Sequence, residues 1–517
     1  MSAISAPTTS AAGFSARQWL DRVTGRVTMY RLVVICLLAL LVEALILGAT
    51  GQLFYTAPAI LASAVVAVGV TWLTGIGFAL LFRTRAHPES SIITGLLILF
   101  LFQPSLETAD LWTLALAALI ASASKYLLAI RRRHIFNPAA LAALVMTLLQ
   151  LNFVTWWVAT GWMLPLTALT AFLVLYRTRR ITVALVYIVV AAAIVISYGV
   201  SNGVEFGTAV STAFLSYPIV FFAGFMLSEP LTLPPRRWQQ LALAAIVAVI
   251  ASVPFNFPPF YNTPQLALVV GNLLAFAVGQ RRGIRLDFLG RRALTPTSWE
   301  FEFRPQRPLA FSAGQFMEIT LAHKGADQRG YRRVFSIASA PSETDVVRFG
   351  LRVADRSSSF KTHMLALEPG EIVTATSIGG DFLLPKDPSR PLLMVAGGIG
   401  ITPYISHLGE VEATGTKRDI VVVYSSSRPD EIAYAERLGM GGHRVLLVSP
   451  SVPDELPSNW TYLGAGPLTG EMLLRAVPDA VSRDAYVSGA PQLVTSLKSA
   501  LRRAGVKRVK SDYFSGY

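Results

Sequence analysis

The chain has 517 residues and a formal net charge of +14, and 53% of its residues are hydrophobic while only 15% are charged. This length predicts more than one domain, and a mean hydropathy of +0.51 excludes a protein that is soluble throughout. Because Cys36 is the only cysteine, the composition excludes disulfides, cysteine-ligated zinc and four-cysteine iron–sulfur clusters.

Residues 1–30 form a polar tail that precedes the first apolar stretch. The tail carries Arg17, Arg22 and Arg26 but lacks the small-residue cleavage pattern of a signal peptide. We expect it to stay in the cytoplasm and to be largely disordered.

The region 31–282 is dominated by Ala, Leu, Val and Ile, and we expect a polytopic α-helical membrane domain there. Ten apolar stretches are candidate spans, of which the third is short enough to be re-entrant. They centre on residues 32–48, 57–82, 91–102, 111–130, 139–157, 161–176, 181–199, 207–227, 240–254 and 266–280.

Positive charge alternates along the connections between these stretches. Every second connection carries Arg, at Arg83 and Arg85, Arg131 to Arg133, Arg177 to Arg180, Arg236 and Arg237, and Arg281 to Arg285. The connections near 49–56, 103–110, 158–160, 200–206 and 255–265 carry no Lys or Arg. The positive-inside rule then predicts a multi-pass protein of the cell membrane with both termini cytoplasmic. Inside loops and lipid explain the net charge without a nucleic-acid partner.

Three stretches on the inside face have unusual chemistry. Residues 137–140 read Asn-Pro-Ala-Ala, residues 228–235 read Ser-Glu-Pro-Leu-Thr-Leu-Pro-Pro, and residues 88–95 read Pro-Glu-Ser-Ser-Ile-Ile-Thr-Gly. In these pieces the chain resembles the RnfD/NqrB family, the D and B membrane subunits of Rnf and sodium-pumping NADH:quinone reductase complexes. The resemblance implies a flavin within the membrane domain.

The family's covalent flavin motif, Asp-x-x-[Ser/Thr]-Gly-Ala-Thr, is not matched here. The Gly48-Ala49-Thr50 triplet follows Leu47 and has Ala44 in place of the Asp. We therefore expect a noncovalent flavin, such as FMN, close to Asn137 and Glu229. The alternative is that these two side chains only cap helix ends.

A haem-based electron path is the competing design. The membrane half contains only His87 and His134, both in predicted inside loops. Two stacked haems would need four His ligands, so this count excludes a haem pair and leaves open one haem between the two residues.

Residues 288–386 change to short alternating stretches separated by Gly and Pro, for example 301–303, 316–320 and 348–352. This pattern predicts a small antiparallel β-barrel. The stretch Arg333-x-Phe335-Ser336 reads as one of its strands, and by itself is typical of any amphipathic strand.

Residues 390–517 alternate strand and helix, which predicts a parallel sheet with helices on both faces. Ligands bind at the carboxyl ends of such strands. Gly397, Gly398 and Gly400 lie at one of these ends, where the absence of side chains lets backbone N–H groups approach a pyrophosphate.

Four signatures in this order give the last 230 residues or so a specific resemblance to the ferredoxin-NADP reductase superfamily. They are Gly314-Gln315-Phe316, Arg333-x-Phe335-Ser336-x-x-Ser339, residues 395–403 (Val-Ala-Gly-Gly-Ile-Gly-Ile-Thr-Pro) and residues 486–491 (Tyr-Val-Ser-Gly-Ala-Pro). The resemblance implies an FAD-binding domain followed by an NAD(P)-binding domain. It implies no metal site.

The same resemblance implies roles for individual residues. Arg333, Val334, Phe335, Ser336 and Ser339 would bind FAD, with the Ser336 hydroxyl near flavin N5. Within 359–364, Thr362 would contact phosphate, whereas His363 is expected to be a surface residue.

The nicotinamide site is implied by the two later signatures. Thr402 and Ser488 would lie near the nicotinamide, and Gly489 and Pro491 would shape the loop; many relatives have Cys where this chain has Ser488. Ser336, Ser488 and Thr402 are therefore the expected catalytic residues.

Two further positions bear on the coenzyme. Ser425 and Arg428 follow the second nucleotide strand and would accept a 2′-phosphate, which favours NADPH slightly; the alternative is a polar turn. Near the C-terminus, Phe514 or Tyr517 would cover the flavin face, unless the terminus is frayed.

Together these patterns predict a membrane flavoenzyme that oxidises cytoplasmic NAD(P)H through FAD. Electrons would pass to a flavin, a quinone or partner redox subunits in or across the membrane. The alternative is an ion-translocating or transport protein that the reductase half drives or regulates.

Overall fold

The structure is a computed structural model that describes residues 20, 24, 27–84, 86–130, 133–280, 283–323, 327, 330–354, 357–453 and 455–514. Most of the predicted tail 1–30, Arg85, Arg131, Arg132, Arg281, Arg282 and Tyr517 lie outside these residues. The chain divides into two compact units, Met1–Pro234 with Trp238–Val278, and Pro235–Arg237 with Gly279–Tyr517.

The first unit is helical. Its helices in chain order are α1 (Met29–Ala49), α2 (Ala57–Leu81), α3 (Pro88–Leu101), α4 (Thr108–Leu127), α5 (Pro138–Leu148), α6 (Leu164–Thr178), α7 (Ile181–Ser201), α8 (Phe206–Leu215), α9 (Ile219–Leu227, with a π-helical second half), α10 (Arg237–Ser252) and α11 (Pro264–Ala275). Two short hairpins interrupt them, β1 (Ala129–Ile130) with β2 (Arg133–His134), and β3 (Asn256–Phe257) with β4 (Phe260–Tyr261).

The predicted number of ten membrane spans is wrong, although each of the ten apolar stretches overlaps a helix. Within the described residues only α1, α2 and α7 are long and apolar enough to cross a membrane, and the pair α8 and α9, bent by 43°, gives a fourth at most. Five other apolar helices have 10–17 residues. A helix of that length spans roughly 15–25 Å, which is less than the hydrocarbon thickness of about 30 Å.

The C-terminal end of α5 shows why an apolar stretch overestimates helix length. Asn137 caps the start of α5 by accepting a hydrogen bond from the backbone N–H of Ala140, and the helix ends at Leu148. Just beyond it, Gln150 is left-handed with φ +56°, and the Leu151 N–H turns back to the carbonyl of Met146 at 3.1 Å. The rest of the stretch 139–157 forms turns, and Val154 pairs with Phe102 in an isolated β-bridge. Hydropathy detects apolar sequence, but it does not detect where a helix begins and ends.

The long helices bury little of their surface within the unit. Only 28% of the most apolar part of α1, 28% of α2 and 33% of α7 is buried. Large apolar side chains on them, such as Val65 and Leu73, are more than half exposed. Exposure of such large apolar surfaces to water is unfavourable, so these helices require apolar surroundings such as lipid or another protein surface.

The second unit begins with a six-stranded antiparallel sheet. Its strands are β5 (Ile284–Ala293), β6 (Ser298–Pro305), β7 (Phe316–Thr320), β8 (Arg332–Ser336), β9 (Val347–Arg352) and β10 (Ile372–Gly379), in the spatial order β8-β7-β10-β5-β6-β9. Alternate side chains form an apolar core that includes Phe288, Phe301, Phe303 and Phe349.

The predicted barrel does not close. Its edge strands β8 and β9 meet at a single bridge between Ile337 and Phe349. Next to β8, Phe360 of the short helix α12 (Ser359–Leu365) packs against Phe335, with ring centroids 5.8 Å apart. This contact lies on the core face of β8 and joins α12 to the apolar core of the sheet.

The second part of the unit is the predicted parallel α/β fold. The strands are β11 (Leu392–Gly397), β12 (Ile420–Ser425), β13 (Arg444–Val448), β14 (Trp460–Gly464), β15 (Asp484–Gly489) and β16 (Val509–Tyr513), in the order β14-β13-β12-β11-β15-β16. The connecting helices are α13 (Thr402–Ala413), α14 (Ala435–Met440), α15 (Gly470–Ala476) and α16 (Pro491–Arg503).

The direction of winding reverses at β11. From β11 the chain moves outward through β12, β13 and β14, and then returns to place β15 on the other side of β11. The carboxyl ends of β11 and β15 border the crevice where ligands bind in open α/β sheets. The topology thus places residues 397–402 and 488–491 at this switch point.

The antiparallel sheet and the α/β part pack closely at Gly350 of β9. A Cβ atom at this position would lie 2.6 Å from the hydroxyl oxygen of Tyr434 and 2.9 Å from Oγ1 of Thr402. Such distances are far shorter than van der Waals contact.

We expect Gly350→Ala to destabilise the second unit by about 1–3 kcal/mol, because the methyl group would push the two layers apart. Thermal unfolding of the purified full-length protein would measure the change. Gly290→Ala on β5 is the matched control, since a Cβ there meets no atom within 4 Å. Equal unfolding temperatures for the two variants would contradict the packing argument.

Candidate functional site

The strand β8 presents the residues of the predicted flavin motif in a defined order. Arg333 is 8% exposed, and its guanidinium lies 5.4 Å from the ring centroid of Phe360 and 3.3 Å from a carboxylate oxygen of Asp327. Phe335 is half-buried, whereas Val334 is exposed on the other face of the strand. Arg333 and Phe335 therefore share the side on which a flavin was predicted.

An acidic residue, Asp327, lies in the region where phosphate binding was predicted. Asp327 accepts a hydrogen bond from the backbone N–H of Ser359 at 3.2 Å, and its own N–H donates to the Ser359 hydroxyl at 2.8 Å. A carboxylate thus occupies the place between Arg333 and the start of α12. Thr362 is exposed on α12, and its hydroxyl donates to the carbonyl of Ser358 at 3.3 Å.

The nearby imidazoles form a stacked pair. The rings of His323 and His363 lie 4.2 Å apart, and His323 Nε2 is 3.0 Å from the Ser359 hydroxyl. Burial lowers the pKa of His323 from its usual value. His363, expected at the surface, is half-buried in this pair.

Ser336 contacts a residue from the end of the chain. Its hydroxyl donates a hydrogen bond of 3.3 Å to a carboxylate oxygen of Asp512 on β16, whose other oxygen accepts from the Tyr513 N–H. Burial raises the pKa of Asp512 above its usual value, against the opposing effect of both hydrogen bonds. The site therefore contains a carboxyl that protonates more readily than an ordinary aspartate.

Ser488 lies on the strand next to Asp512. It is the register partner of Asp512 across β15 and β16 and of Ala396 across β15 and β11. The Ser488 side chain is fully buried, and its hydroxyl has no hydrogen-bond partner among the described residues. Two of the three expected catalytic residues thus lie near the half-buried Asp512, Ser336 by a hydrogen bond and Ser488 by strand register.

The glycine loop packs directly against the loop that follows β15. A Cβ atom on Gly400 would lie 2.7 Å from the Cα of Gly489, and Gly489 has φ +141°. Gly397 ends β11 against the side chain of Leu493, while Gly398, with φ +54°, faces open space. Gly400 and Gly489 are therefore needed for backbone contact, and Gly398 is the glycine with room for a ligand.

Thr402 lies apart from the Ser336 and Ser488 pair. It is fully buried, its hydroxyl donates to the carbonyl of Ile399 at 2.7 Å, and its Oγ1 approaches Gly350 of β9. In this geometry the hydroxyl is engaged in packing between the two layers. Its predicted contact with the nicotinamide stays a prediction.

The remaining predicted residues have separate places. Ser339 is buried and accepts from the Arg348 N–H at 3.2 Å, while its carbonyl accepts from the Ser406 hydroxyl at 2.7 Å. Pro491 occupies the first turn of α16, and the N–H of Phe514 donates to the carbonyl of Gly489 at 2.8 Å.

The predicted coenzyme residues follow β12, the strand on the other side of β11. Ser425 is half-buried at its end, and Arg428 is exposed and pairs with Asp430, with Nε 3.0 Å from Oδ1.

Two acidic residues near the motifs, Asp512 and Glu431, were not identified from the sequence. Asp512 could have been found as the acidic residue two positions before Phe514, the aromatic expected to cover the flavin.

Gly314 of the first signature has a packing role. Its φ is +85°, and the imidazole of His407 from α13 fills the space that a side chain would need. His407 is fully buried beside Phe382, with ring centroids 5.8 Å apart. Burial lowers the pKa of His407 to about 4, so the ring is neutral at neutral pH.

The helical unit contains its own polar cluster. Glu229 accepts hydrogen bonds from Nε2 of His134 at 2.7 Å and from the side-chain amide of Asn137 at 2.9 Å, and Asn272 accepts from the Asn137 N–H at 2.7 Å. Asn137 also caps α5, as its alternative interpretation required. His87 caps α3 by accepting from the Ser90 N–H at 3.4 Å.

Comparisons with known proteins concern the C-terminal half, which resembles the ferredoxin reductase superfamily of FAD- and NAD-binding proteins. No protein family model matches the chain. It is similar to the stachydrine N-demethylase reductase subunit Stc4 of Rhizobium meliloti, with 24% identity over 225 residues, 43% of this chain and 63% of that protein.

A second relative is the aromatic O-demethylase reductase subunit of an Amycolatopsis species, 26% identical over 223 residues, 40% of this chain and 62% of that protein. The chain thus spans less than two thirds of either relative. Among solved structures, Amycolatopsis cytochrome P450 reductase GcoB is 22% identical with a TM-score of 0.39, covering 45% of this chain and 70% of that chain.

We expect Asp512→Asn to leave the thermal unfolding temperature at pH 7 unchanged or higher. A raised folded-state pKa means that the ionised carboxylate destabilises the fold, and this cost disappears as the pH falls through that pKa. Relative to the variant, the wild type should therefore gain stability as the pH is lowered.

The control for this test is Asp419→Asn. Asp419 pairs through both carboxylate oxygens with the buried Arg483, at 2.9 Å each, so its loss should lower the unfolding temperature at pH 7. If Asp512→Asn destabilises the protein as strongly as this control does, the Asp512 carboxylate is a stabilising partner and our interpretation is wrong.

Proposed function

We propose that this chain is a membrane-bound flavin oxidoreductase that oxidises NAD(P)H at the cytoplasmic face and passes electrons through FAD to an acceptor in or across the membrane. The observation that carries the proposal is the convergence of Ser336, Ser488 and Asp512 at the switch point beside β11. Reductase subunits of two demethylases are among the relatives of the C-terminal half.

The residues at the switch point fit FAD and a nicotinamide coenzyme. The buried hydroxyl of Ser488 has no partner among the described residues, and the space beside Gly398 is open to a pyrophosphate. Arg333 has the charge and the planar donors that a second pyrophosphate requires. FAD, when bound, supplies the chemistry that accepts a hydride and releases electrons singly.

The protein's own groups would orient the reactants and move one proton. Phe335 would lie along the flavin ring system, and Ser488 would contact the nicotinamide edge. The Ser336 hydroxyl would hold a proton that Asp512 would replace, because burial raises the pKa of this carboxyl above its usual value. Ser336 and Asp512 together would keep a proton available at flavin N5.

Charges beside β12 bear on the choice of coenzyme. Arg428 would attract the 2′-phosphate of NADPH, whereas Asp430, paired with it, would accept a hydrogen bond from the 2′-hydroxyl of NADH. Both coenzymes are therefore part of the proposal.

The helical unit supports a membrane location. The apolar surfaces of α1, α2 and α7 are largely exposed, and the loops after α1 and α7 carry no Lys or Arg. Arg83 follows α2, and Arg177 to Arg180 precede α7. With the bent pair α8 and α9 counted as a fourth span, the chain crosses the membrane an even number of times, and by the positive-inside rule we place both termini and the reductase half in the cytoplasm.

We place the next redox centre near the cluster of Asn137, His134 and Glu229 in the helical unit. The residues 137–140 and 228–235 that resemble the RnfD/NqrB family contribute to this cluster. A noncovalent FMN or another flavin, or a quinone from the lipid, would accept the electrons there. Partner redox subunits could take the electrons onward.

An ion-translocating or transport function remains the alternative, and one observation favours it. Lys125 lies half-buried in the last turn of α4, and its ammonium donates to the carbonyl of Ser90 at 2.8 Å. Ionisable groups inside membrane helices often mark ion pathways. Ion or substrate flux that continues without NAD(P)H oxidation would support this alternative.

We expect Arg333→Ala to lose most of its FAD, because the variant lacks the buried cation that would pair with the pyrophosphate. Extraction and chromatographic analysis of flavins from the purified full-length protein would show FAD missing and a second flavin, such as FMN, retained. Arg304→Ala, at an exposed position of β6, is the control and should keep both flavins.

Two other results are informative. Full FAD occupancy in Arg333→Ala would disprove the assignment of the flavin motif. Wild-type protein that contains FAD alone would remove the second flavin and leave a reductase that delivers electrons directly to quinone or to a partner.

We expect sites after α1 and α7 to be outside the cell. In a Cys36→Ala background, Gln52→Cys and Asn202→Cys, both exposed, should react with a membrane-impermeant thiol reagent in intact cells. Lys386→Cys, exposed in the reductase half, should react only after permeabilisation. The opposite pattern would place the reductase half outside and overturn the proposed orientation.

A further inference from the structure

A productive hydride transfer needs the flavin and the nicotinamide at fixed separation, but this chain builds the two sites from different layers. The flavin residues belong to the antiparallel sheet, called the flavin layer below. The coenzyme loops belong to the parallel sheet, called the coenzyme layer below. Reacting atoms must approach to about 3–3.5 Å, and a shift of about 1 Å can slow a reaction roughly 100-fold. Contacts that fix the two layers relative to each other are therefore part of the site.

Glu431 makes such a contact. Its carboxylate accepts a hydrogen bond of 2.6 Å from the hydroxyl of Thr295 and one of 3.1 Å from the backbone N–H of Thr297, both in the turn between β5 and β6. Glu431 is 7% exposed. A buried carboxylate is costly unless donors satisfy it, so these two bonds fix the position of the turn strongly.

The same segment leads into the predicted coenzyme contact. The Ser426 hydroxyl lies 2.8 Å from the carbonyl oxygen of Arg428 and 3.1 Å from that of Glu431. The Glu431 N–H also donates to the Arg428 carbonyl at 3.2 Å. Residues 425–431 are thus one closely hydrogen-bonded segment, which carries Arg428 in its middle and the contact to the antiparallel sheet at its C-terminal end.

The chain leaves this piece through a strained residue. Tyr434 has φ +59°, a left-handed conformation that is unfavourable for a side chain of its size. It is 5% exposed, and its hydroxyl has no hydrogen-bond partner within the described chain. Its ring reaches Gly350 of β9, so a second contact of the segment also ends on the flavin layer.

The contacts lie on both sides of the glycine loop. Glu431 follows β12 on one side of β11, and Asp512, which contacts Ser336, lies on β16 two strands away on the other side. The Ser339–Ser406 hydrogen bond and the packing at Gly350 also join the two layers. Hydrogen bonds on each side of β11 add to these contacts and resist rotation of one layer against the other.

We propose that Glu431 is a positioning residue that holds the flavin layer and the coenzyme layer in register for hydride transfer. This inference rests on the proposed NAD(P)H-dependent reduction of FAD. It predicts that losing the carboxylate slows flavin reduction while coenzyme affinity changes little, because Arg428 and the glycine loop remain in place.

The test uses the full-length protein with its bound FAD. Anaerobic stopped-flow mixing with NADH or NADPH gives the limiting rate of flavin reduction and the apparent dissociation constant of the coenzyme. Long-wavelength charge-transfer absorbance reports directly on stacking of the nicotinamide against the flavin. Extracted FAD per protein shows whether the flavin site is intact.

We expect Glu431→Ala to keep its FAD, to reduce it at least about 10-fold more slowly and to lose charge-transfer absorbance, with a change of less than about 3-fold in the dissociation constant. Glu431→Gln should recover most of the rate, because its amide oxygen can still accept from Thr297. Glu436→Ala, an exposed carboxylate on α14, is the matched control and should behave as wild type.

Thr295→Val provides a second route if Glu431→Ala fails to fold. It removes the hydroxyl that donates to Glu431 and that also accepts from the Ser298 N–H at 2.9 Å, while Thr297 still donates to Glu431, and it should give an intermediate rate. A wild-type limiting rate in Thr295→Val, or in Glu431→Ala with FAD present, would overturn the inference. A weaker dissociation constant with an unchanged limiting rate would assign Glu431 to coenzyme binding instead.

The proposed function fails in a different way. If the wild-type protein binds FAD but neither coenzyme reduces it, the chain is no NAD(P)H oxidoreductase, whatever the variants do. A wild type that is active and a Glu431→Ala variant of equal activity would reject only the positioning role.

Discussion

The arrangement of the second unit depends on the reversal of strand order at β11. Where a parallel sheet winds in one direction, each connection crosses over the ends of neighbouring strands and leaves no gap between them. Where the winding reverses, the connections leave β11 and β15 on opposite faces, and a crevice stays open at their carboxyl ends. Only glycine allows the two loops at this crevice to approach as closely as Gly400 and Gly489 do.

Buried polar groups then give the crevice its chemistry. Ser336 and Asp512 form one hydrogen-bonded pair, and Ser488 adds a hydroxyl beside them. Each of these groups is costly to bury, and the cost is offset only partly within the described protein. A site that keeps such groups in an open crevice is better explained by ligand binding than by stability.

Several motif residues contribute through packing. Gly314 makes space for the ring of His407, Ser339 joins two segments through Ser406, and Thr402 lies against Gly350. A sequence motif therefore combines residues that touch a ligand with residues that hold the surrounding backbone. Experiments distinguish the two kinds. Substitution of a packing residue changes the stability of the protein, whereas substitution of a ligand-binding residue changes ligand occupancy or the reaction rate.

The sequence by itself determined the apolar and polar division of the chain, the approximate helical stretches of the first unit, and the antiparallel and parallel parts of the second, but it merged α8 and α9 into one stretch. These follow from local periodicity and from turn residues. Where helices end within the apolar stretches, and with this the number of spans, was decided by local backbone such as the left-handed Gln150 just after α5. The antiparallel sheet stays open because its edge strands meet only at the bridge between Ile337 and Phe349 in the described chain.

The contacts of the two acidic residues, Asp512 and Glu431, were likewise decided only by tertiary structure. Ser336 and Asp512 are 176 residues apart in the chain, and Thr295 and Glu431 are 136 residues apart. No local pattern encodes such pairs, since their contact arises only when two separately folded sheets pack against each other.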